Sequence, residues 1–208
     1  MVLKTATAIA LILALSAPPL AAAAAAAADP PPASWAATVA ALERHDGLLP
    51  LFVDRAGGRV LVQLPAAGPD GVMARVIHHT ALRTGVGSAR TGLDRAQTGA
   101  TRILVFRRIG NRVLAEFENP GYRADAGSVE EQAAARDAFL GSTVWSGAAV
   151  ATAADGAVLV DLAGFLTRDA HGIVETLKAT GQGSLRPVAD LSLVDPAAAR
   201  AFPENVEL

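Results

Sequence analysis

The chain has 208 residues, a formal net charge of −2 and no cysteine, and 51% of its residues are hydrophobic. Without a basic surplus it lacks the electrostatic footprint of a nucleic-acid-binding protein. Without cysteine it has neither a disulfide nor a thiolate metal site, so packing must stabilise the fold.

Residues 1–28 have the pattern of an export signal. Lys4 gives a positive start, Ala6–Leu15 is an apolar stretch, and Ala21–Ala28 offers several sites for a signal peptidase. The pair Pro18–Pro19 interrupts the apolar run well short of the roughly 20 residues that a membrane-spanning helix needs. We therefore expect a cleaved signal peptide, no stable membrane span after cleavage, and a periplasmic or extracellular protein.

The mature part is predicted to begin with a Pro-rich linker, residues 29–33, that cannot continue a helix. Ser34 is then predicted to cap a short helix over Trp35–His45, and Gly47 stands where a glycine commonly ends a helix. Residues 34–208 are predicted to form the folded domain.

Seven strands are predicted from apolar segments that are separated by turn residues. They are Leu48–Asp54, Arg59–Leu64, Val72–Leu82, Thr101–Ile109, Arg112–Glu118, Thr143–Ala151 and Ala157–Asp161. Gly57–Gly58, Gly110–Asn111 and Asp155–Gly156 are predicted to be the turns of three hairpins. The polar, glycine-rich stretch Arg83–Gly99 is long for a connection and too polar for core, so it is either functional or folded onto the sheet.

The second half of the chain adds helices and irregular segments. Ser128 and Glu131 have the spacing of a capping box for a helix that runs to about Leu140. The remaining predictions are a helix over Asp169–Ala179 that ends near Gly181, an irregular or strand segment over Ser184–Val194, a short helical turn at Asp195–Pro196 and an extended end over Pro203–Leu208. Together these elements predict an α+β fold, mostly antiparallel sheet built of hairpins, with a few short helices.

The residues reveal no catalytic constellation by themselves. His78 and His79 are adjacent on a predicted strand and therefore point to opposite faces, while His171 and Glu175 share a face of a predicted helix. A zinc site would need a third ligand from elsewhere, and the chain has no H-E-x-x-H motif. Ser88 and Ser184 lack the trailing glycine of a nucleophile elbow. We expect no catalytic, cofactor-binding or metal-binding residue in this chain.

Several long segments together resemble one family. They are TGVGSARTGLDRAQTG (residues 84–99), VFRRIGNRVLAEFENPGYRADAG (105–127), ARDAFLGSTVWSG (135–147), VLVDLAGFLTRDAHGI (158–173) and AFPENVEL (201–208). This series is similar to the N-terminal uncharacterised domain of bacterial secreted zinc-dependent metalloproteases of the zincin type. In that family the catalytic domain that follows carries H-E-x-x-H and the zinc.

The chain departs from the family pattern at two places. Ala96 stands where the family usually has glycine, which matters only if the position needs a positive φ. Leu191–Ser192 stands where the family usually has Arg-Ser, which matters only if that arginine forms a buried or interdomain ion pair. The recurrent polar positions of the family correspond here to Asp94, Arg95, Asn119, Arg123, Arg168 and Asp169. They belong either to an interdomain surface or to loops braced by hydrogen bonds.

The resemblance implies a non-catalytic N-terminal accessory domain of an exported zinc-dependent metalloprotease, ending early at its C-terminal end. Its expected partner is the catalytic domain, normally in the same polypeptide, and zinc is expected only there. Two alternatives stay open. One is a stand-alone periplasmic module that binds a peptide, lipid or glycan, and the other is a small metalloenzyme that uses His171, Glu175 and either His78 or His79.

Overall fold

The structure is a computed structural model that describes residues 33–85, 91–121, 127–138 and 141–208. Its strands in these ranges are β1 Ala33–Ser34, β2 Glu43–His45, β3 Leu51–Asp54, β4 Arg59–Leu64, β5 Val72–His78, β6 Arg102–Ile109, β7 Arg112–Phe117, β8 Ser142–Thr152, β9 Val158–Asp161, β10 Arg200–Ala201 and β11 Val206–Glu207. Its α-helices there are α1 Trp35–Val39, α2 Val129–Ala138, α3 Ala163–Leu166 and α4 Ile173–Ala179. The predicted α+β class is confirmed.

One antiparallel sheet organises the fold, with strand order β2-β3-β4-β9-β8-β7-β6-β5. The short β1 adds in parallel to β8, and β10 and β11 form a separate hairpin. The long strand β8 is shared between two halves of the sheet. Its first part pairs with β7 from Ser142 to Ala148, and its last part pairs with β9 from Ala149 to Thr152.

Strands β3, β4 and β9 are covered on both faces. In β3 the consecutive residues Leu51, Phe52 and Val53 are all buried, although neighbouring side chains of a strand point to opposite sides. Leu51 and Val53 pack into the main core, whereas Phe52 faces α1, where the Trp35 ring lies edge-on with its centroid 5.9 Å away. Cover on both faces explains why these strands are unbroken apolar runs in the sequence.

The main core fills the concave side of the sheet. Phe165 of α3 is buried there, and its ring centroid lies 6.5 Å from those of both Phe106 and Trp145. Val62 of β4 and Leu104 of β6 line one common groove although three strands separate them. The sheet therefore curves, which brings its two ends toward each other.

The predicted helix over Trp35–His45 is wrong beyond Val39. The segment Glu43–His45 forms β2 and pairs with β3, so pairing along the sheet overrides a local helical pattern. Gly47 does not end a helix either. The C-terminal segment crosses it so closely that a Cβ there would lie 2.7 Å from the backbone of Phe202.

The other helix predictions hold in part. The capping box is confirmed, because the Ser128 hydroxyl accepts from the Glu131 N–H at 3.2 Å and the Glu131 carboxylate accepts from the Ser128 N–H at 2.8 Å. The predicted end of that helix at Leu140 lies outside the described residues. Helix α4 begins at Ile173, not at Asp169, and α3 was not predicted.

Three further segments differ from the sequence prediction in extent. Strand β5 ends at His78 instead of reaching Leu82. In the loop Arg83–Gly99, of which residues 86–90 lie outside the described part, Leu93 is buried, so this loop folds onto the sheet. The segment Ser184–Val194 is irregular apart from a 3-10 turn at Ala189–Leu191. Asp195 begins a hydrogen-bonded turn, in which its carbonyl accepts from the Ala198 N–H at 3.0 Å.

Candidate functional site

A large open groove lies beside the free edge of β5. It has a volume of about 1140 Å³ and is lined along one side by the unbroken stretch Arg75–Thr84. The loop between α3 and α4, together with α4, forms a second wall, and the C-terminal segment from Leu185 to Leu208 contributes a third. Leu104 and Phe106 contribute apolar surface from the sheet. We call this feature the edge groove.

The deepest titratable group of the edge groove is His78, which packs among aromatic rings. Its ring centroid lies 5.3 Å from that of Phe117 and 5.5 Å from that of Phe165. Burial is the main reason that its pKa lies below the usual value of 6.5, and the positive charges of Arg168 and Arg102 act in the same direction. This shift favours the neutral form of His78, and its buried Nδ1 atom has no hydrogen-bond partner among the described residues.

Arg168 lies over this aromatic cluster. The centre of its guanidinium is 3.7 Å from the Phe165 ring centroid and 5.7 Å from that of Phe117, and Nη1 donates a hydrogen bond to the Phe165 carbonyl. Burial lowers the pKa of Arg168 from its usual value, but an arginine stays charged at neutral pH. Within the described ranges no carboxylate forms an ion pair with it, so a half-buried positive charge faces the edge groove.

The other polar positions that the family resemblance singled out lie apart from Arg168, with one exception. Asp169 is its neighbour and caps α4, because its carboxylate accepts from the Ile173 N–H at 2.7 Å and the Val174 N–H at 2.9 Å. Asp94, Arg95 and Asn119 are exposed in loops and do not line the groove. Arg123 lies outside the described residues.

The histidines do not converge on a metal. His79 is exposed and its Nδ1 lies 3.0 Å from the Thr101 hydroxyl, so His78 and His79 point to opposite sides as predicted. His171 precedes α4, so the prediction that it shares a helix face with Glu175 is wrong. The Glu175 carboxylate instead lies 4.0 Å from Nζ of Lys178. Across the described part of the chain, no group of three or more histidine, aspartate or glutamate side chains could hold a metal ion.

The most strongly shifted carboxylate lies away from the groove. The Arg55 guanidinium donates to Glu43 at 2.7 Å, and His45 also contacts it, which together lower the pKa of Glu43 to about 2. Both side chains of the Glu43–Arg55 pair are about half exposed. This pair joins β2 to the turn after β3, so we interpret it as a structural ion pair on the surface.

Apolar side chains are exposed along the irregular C-terminal wall of the groove. Leu185 and Leu193, which line the groove, are 55% and 78% exposed, and Leu191, which precedes Leu193 by two residues and does not line the groove, is 82% exposed. Leu191 is the position where the resembled family has arginine, and its exposure shows that no buried ion pair was lost there. Sequence reasoning missed this surface because an irregular segment has no apolar period to indicate which side chains face solvent.

The other position at which the chain departs from the resembled family pattern is Ala96. Its φ is +66°, the only positive φ among the non-glycine residues that the structure describes. A glycine at this position relieves a steric conflict that any L side chain meets in the left-handed region. The substitution therefore places backbone strain in the loop that packs against Leu82, whose carbonyl accepts from the Ala96 N–H at 2.7 Å.

No family model, curated protein or solved structure matches this chain. In the part of the chain that the structure describes, none of the helices has the length and apolar character that crossing a membrane requires. The site is therefore interpreted from its own geometry: an apolar groove, a free strand edge beside it, and a positive charge at its aromatic end.

Proposed function

We propose that this chain is the non-catalytic N-terminal accessory domain of an exported zinc-dependent metalloprotease, and that it binds the catalytic domain through the edge groove. The resemblance of segments spread over residues 84–208 supports the choice of partner. Zinc belongs to the catalytic domain in this proposal, and the chain works in the periplasm or outside the cell.

The observation that carries the proposal is the exposed apolar surface of the C-terminal wall. Leu191 and Leu193 are 82% and 78% exposed, and Leu193 lines a groove whose walls are largely apolar. Exposed leucines beside an apolar groove are typical of a surface that another protein covers. A domain that supports or covers a catalytic domain needs such a surface and needs no catalytic residues of its own.

The DNA that follows codon 208 gives the first test. A reading frame that continues into a segment encoding H-E-x-x-H supports the proposal. A stop codon with no such motif nearby would rule out a partnership within one polypeptide.

The second test measures binding to that catalytic domain. Leu191→Asp combined with Leu193→Asp should weaken binding at least about tenfold, because charges would have to be buried in an apolar contact. The matched control is Ile109→Asp with Val129→Asp, two residues that are 59% and 74% exposed elsewhere on the molecule. Equal losses for both pairs, or none for either, would contradict docking through this wall.

A stand-alone binding module for a peptide, lipid or glycan is the second candidate. The volume of the edge groove and the charge of Arg168, which has no carboxylate partner within the described ranges, favour it, because binding sites combine apolar walls with a few well-placed polar groups. Mass spectrometry of the purified, denatured chain tests this candidate. A stoichiometric small molecule released from the wild type, but not from Arg168→Gln, would favour it over the accessory domain.

A further inference from the structure

In the described part of the chain, strand β5 is the last strand at one end of the sheet, and its outer edge carries backbone groups without a strand partner. The direction in which these groups point follows from the hydrogen bonds on the two sides of the neighbouring strand, β6. The Arg108 N–H donates to the Gly71 carbonyl on the β5 side, and the Ile103 carbonyl accepts from the Glu118 N–H on the β7 side. The backbone N–H and C=O groups of even-numbered residues of β6 therefore point toward β5, and those of odd-numbered residues point toward β7.

The same alternation applies to β5 through its register with β6. Val76 is opposite Leu104 and His78 is opposite Arg102, so these two residues of β5 use their backbone groups within the sheet. The N–H and C=O groups of Arg75 and Ile77 therefore point away from the sheet, toward the edge groove. A strand edge of this kind is a template for one more strand unless something blocks it, and β5 contains neither proline nor glycine.

The edge groove follows this edge and gives space for side chains of an added strand. Ten consecutive residues line it, of which Arg75–His78 belong to β5 and the other six follow the end of the strand, so the groove runs along the second half of β5 and continues past it. On the groove side Val76 packs against the core, whereas Ile77 points to the other face and is 78% exposed. An extended peptide beside β5 would place alternate side chains into the groove and the others in solvent.

Charge decides what kind of peptide fits the aromatic end of the groove. Arg168 has no carboxylate partner among the described residues, in contrast to Arg75 and Arg107, which pair with Glu118 and Glu116 at 2.6 and 3.1 Å. Three carboxylate side chains in the described part of the chain line the groove. Asp169 caps α4, Asp195 accepts from the Ala197 N–H at 2.9 Å, and Glu204 is exposed and forms no ion pair with Arg168 among the described residues. The complementary ligand group for Arg168 is therefore an additional carboxylate.

We propose that β5 accepts an extended polypeptide segment as an additional strand, with apolar side chains in the edge groove and a carboxylate bound to Arg168. This inference rests on the proposed function in one respect: the proposed function makes the catalytic domain the source of the segment. The mode of binding is strand addition, in which main-chain hydrogen bonds hold the segment and the groove selects its side chains.

The test uses the exported chain and a defined probe, a fluorescent ten-residue peptide of alternating valine and threonine that ends in a free aspartate. A reference peptide ends in an amidated lysine. Fluorescence anisotropy should give a dissociation constant about tenfold lower for the aspartate peptide, and Arg168→Gln should abolish that preference. Hydrogen exchange at the amides of Arg75 and Ile77 should slow when the aspartate peptide is bound.

Two variants at one position separate strand addition from simple apolar contact. Ile77→Pro removes an outward N–H that the sheet does not use, so it should fold normally and lose binding at least about tenfold. Ile77→Lys keeps that N–H and changes a side chain on the opposite face, so it should bind nearly as well as the wild type. Thermal melting of both variants confirms that each is folded.

The outcomes distinguish this inference from the proposed function. Absence of peptide binding, unchanged exchange of the two amides, or equal binding by both Ile77 variants would overturn strand addition.

If strand addition fails but the catalytic domain still binds the leucines of the C-terminal wall, the proposed function survives. If the peptide binds at β5 and the catalytic domain does not bind at all, strand addition holds and the accessory role fails. Dimers that Ile77→Pro abolishes, with no peptide binding, would assign the β5 edge to a second copy of the chain instead.

Discussion

The two ends of the sheet are built from similar apolar strands but are completed very differently. Toward one end, inside the mostly exposed edge strand β2, the strands β3, β4 and β9 are buried on both faces, by the main core and by α1. At the other end β5 is buried on one face only, and its edge opens onto a groove walled by irregular chain. We therefore expect this covered end to supply most of the stability of the domain, and the open end at β5 to be where another molecule can add to the sheet.

The test with the largest expected effect replaces one leucine at each end of the sheet by alanine. Leu61→Ala, in β4, should lower the free energy of unfolding by about 3 kcal/mol, because the side chain is fully buried and leaves a cavity. Leu191→Ala, at the open end, should change it by about 0.5 kcal/mol or less, since the side chain is 82% exposed. Urea denaturation measures both. Similar losses would mean that the open end is part of the stability core.

A smaller effect is expected in the loop that packs beside the open end. Ala96→Gly should raise the free energy of unfolding by about 1 kcal/mol, because glycine adopts the positive φ of this position without a steric penalty. Gly92→Ala is the matched opposite change in the same loop. Its φ is +62° and a new Cβ would meet nothing within 4 Å, so strain alone should lower stability by a similar amount. Changes of the same sign at both positions would refute the strain argument.

The smallest effect is a pH dependence that arises at the open end. The pKa of His78 is lowered in the folded protein, so the unfolded chain takes up the proton first as the pH falls. The free energy of unfolding should therefore decrease as the pH drops through the usual histidine value of 6.5. His78→Phe should flatten this part of the profile, whereas the exposed His79→Asn should leave it unchanged. Denaturation midpoints at a series of pH values decide between them.

Patterns of adjacent residues in the sequence predicted the structure of the covered end well and that of the open end poorly. The unbroken apolar runs of β3, β4 and β9 and the turn at Gly110–Asn111 carry their structure in a few adjacent residues, and the structure confirms them. Strand β2 was misread as helix because its conformation depends on pairing with β3. The edge groove could not be predicted at all, because it forms where β5, the loop after α3 and the C-terminal segment meet, three segments far apart in sequence.

The candidate residues show the same limit. Sequence reasoning placed His78 and His79 on opposite sides of a strand correctly, because alternation is a local rule. It gave Arg168 as one of six polar positions but could not separate it from Asp94 or Asn119. What distinguishes Arg168 is its position over Phe165 and the absence of a carboxylate partner among the described residues, and both depend on tertiary packing.

The pairing of β4 with β9 has a consequence for the time course of folding. Leu61 pairs with Asp161, whereas β5 to β8 pair with their nearest neighbours along the chain. A ribosome releases the chain from its N-terminus, so the apolar hairpin of β3 and β4 emerges long before β9 exists. Closing so long a loop is slow, and during that delay the hairpin is exposed to wrong partners. The apolar hairpin of the covered end is thus made early but is completed only when β9 emerges.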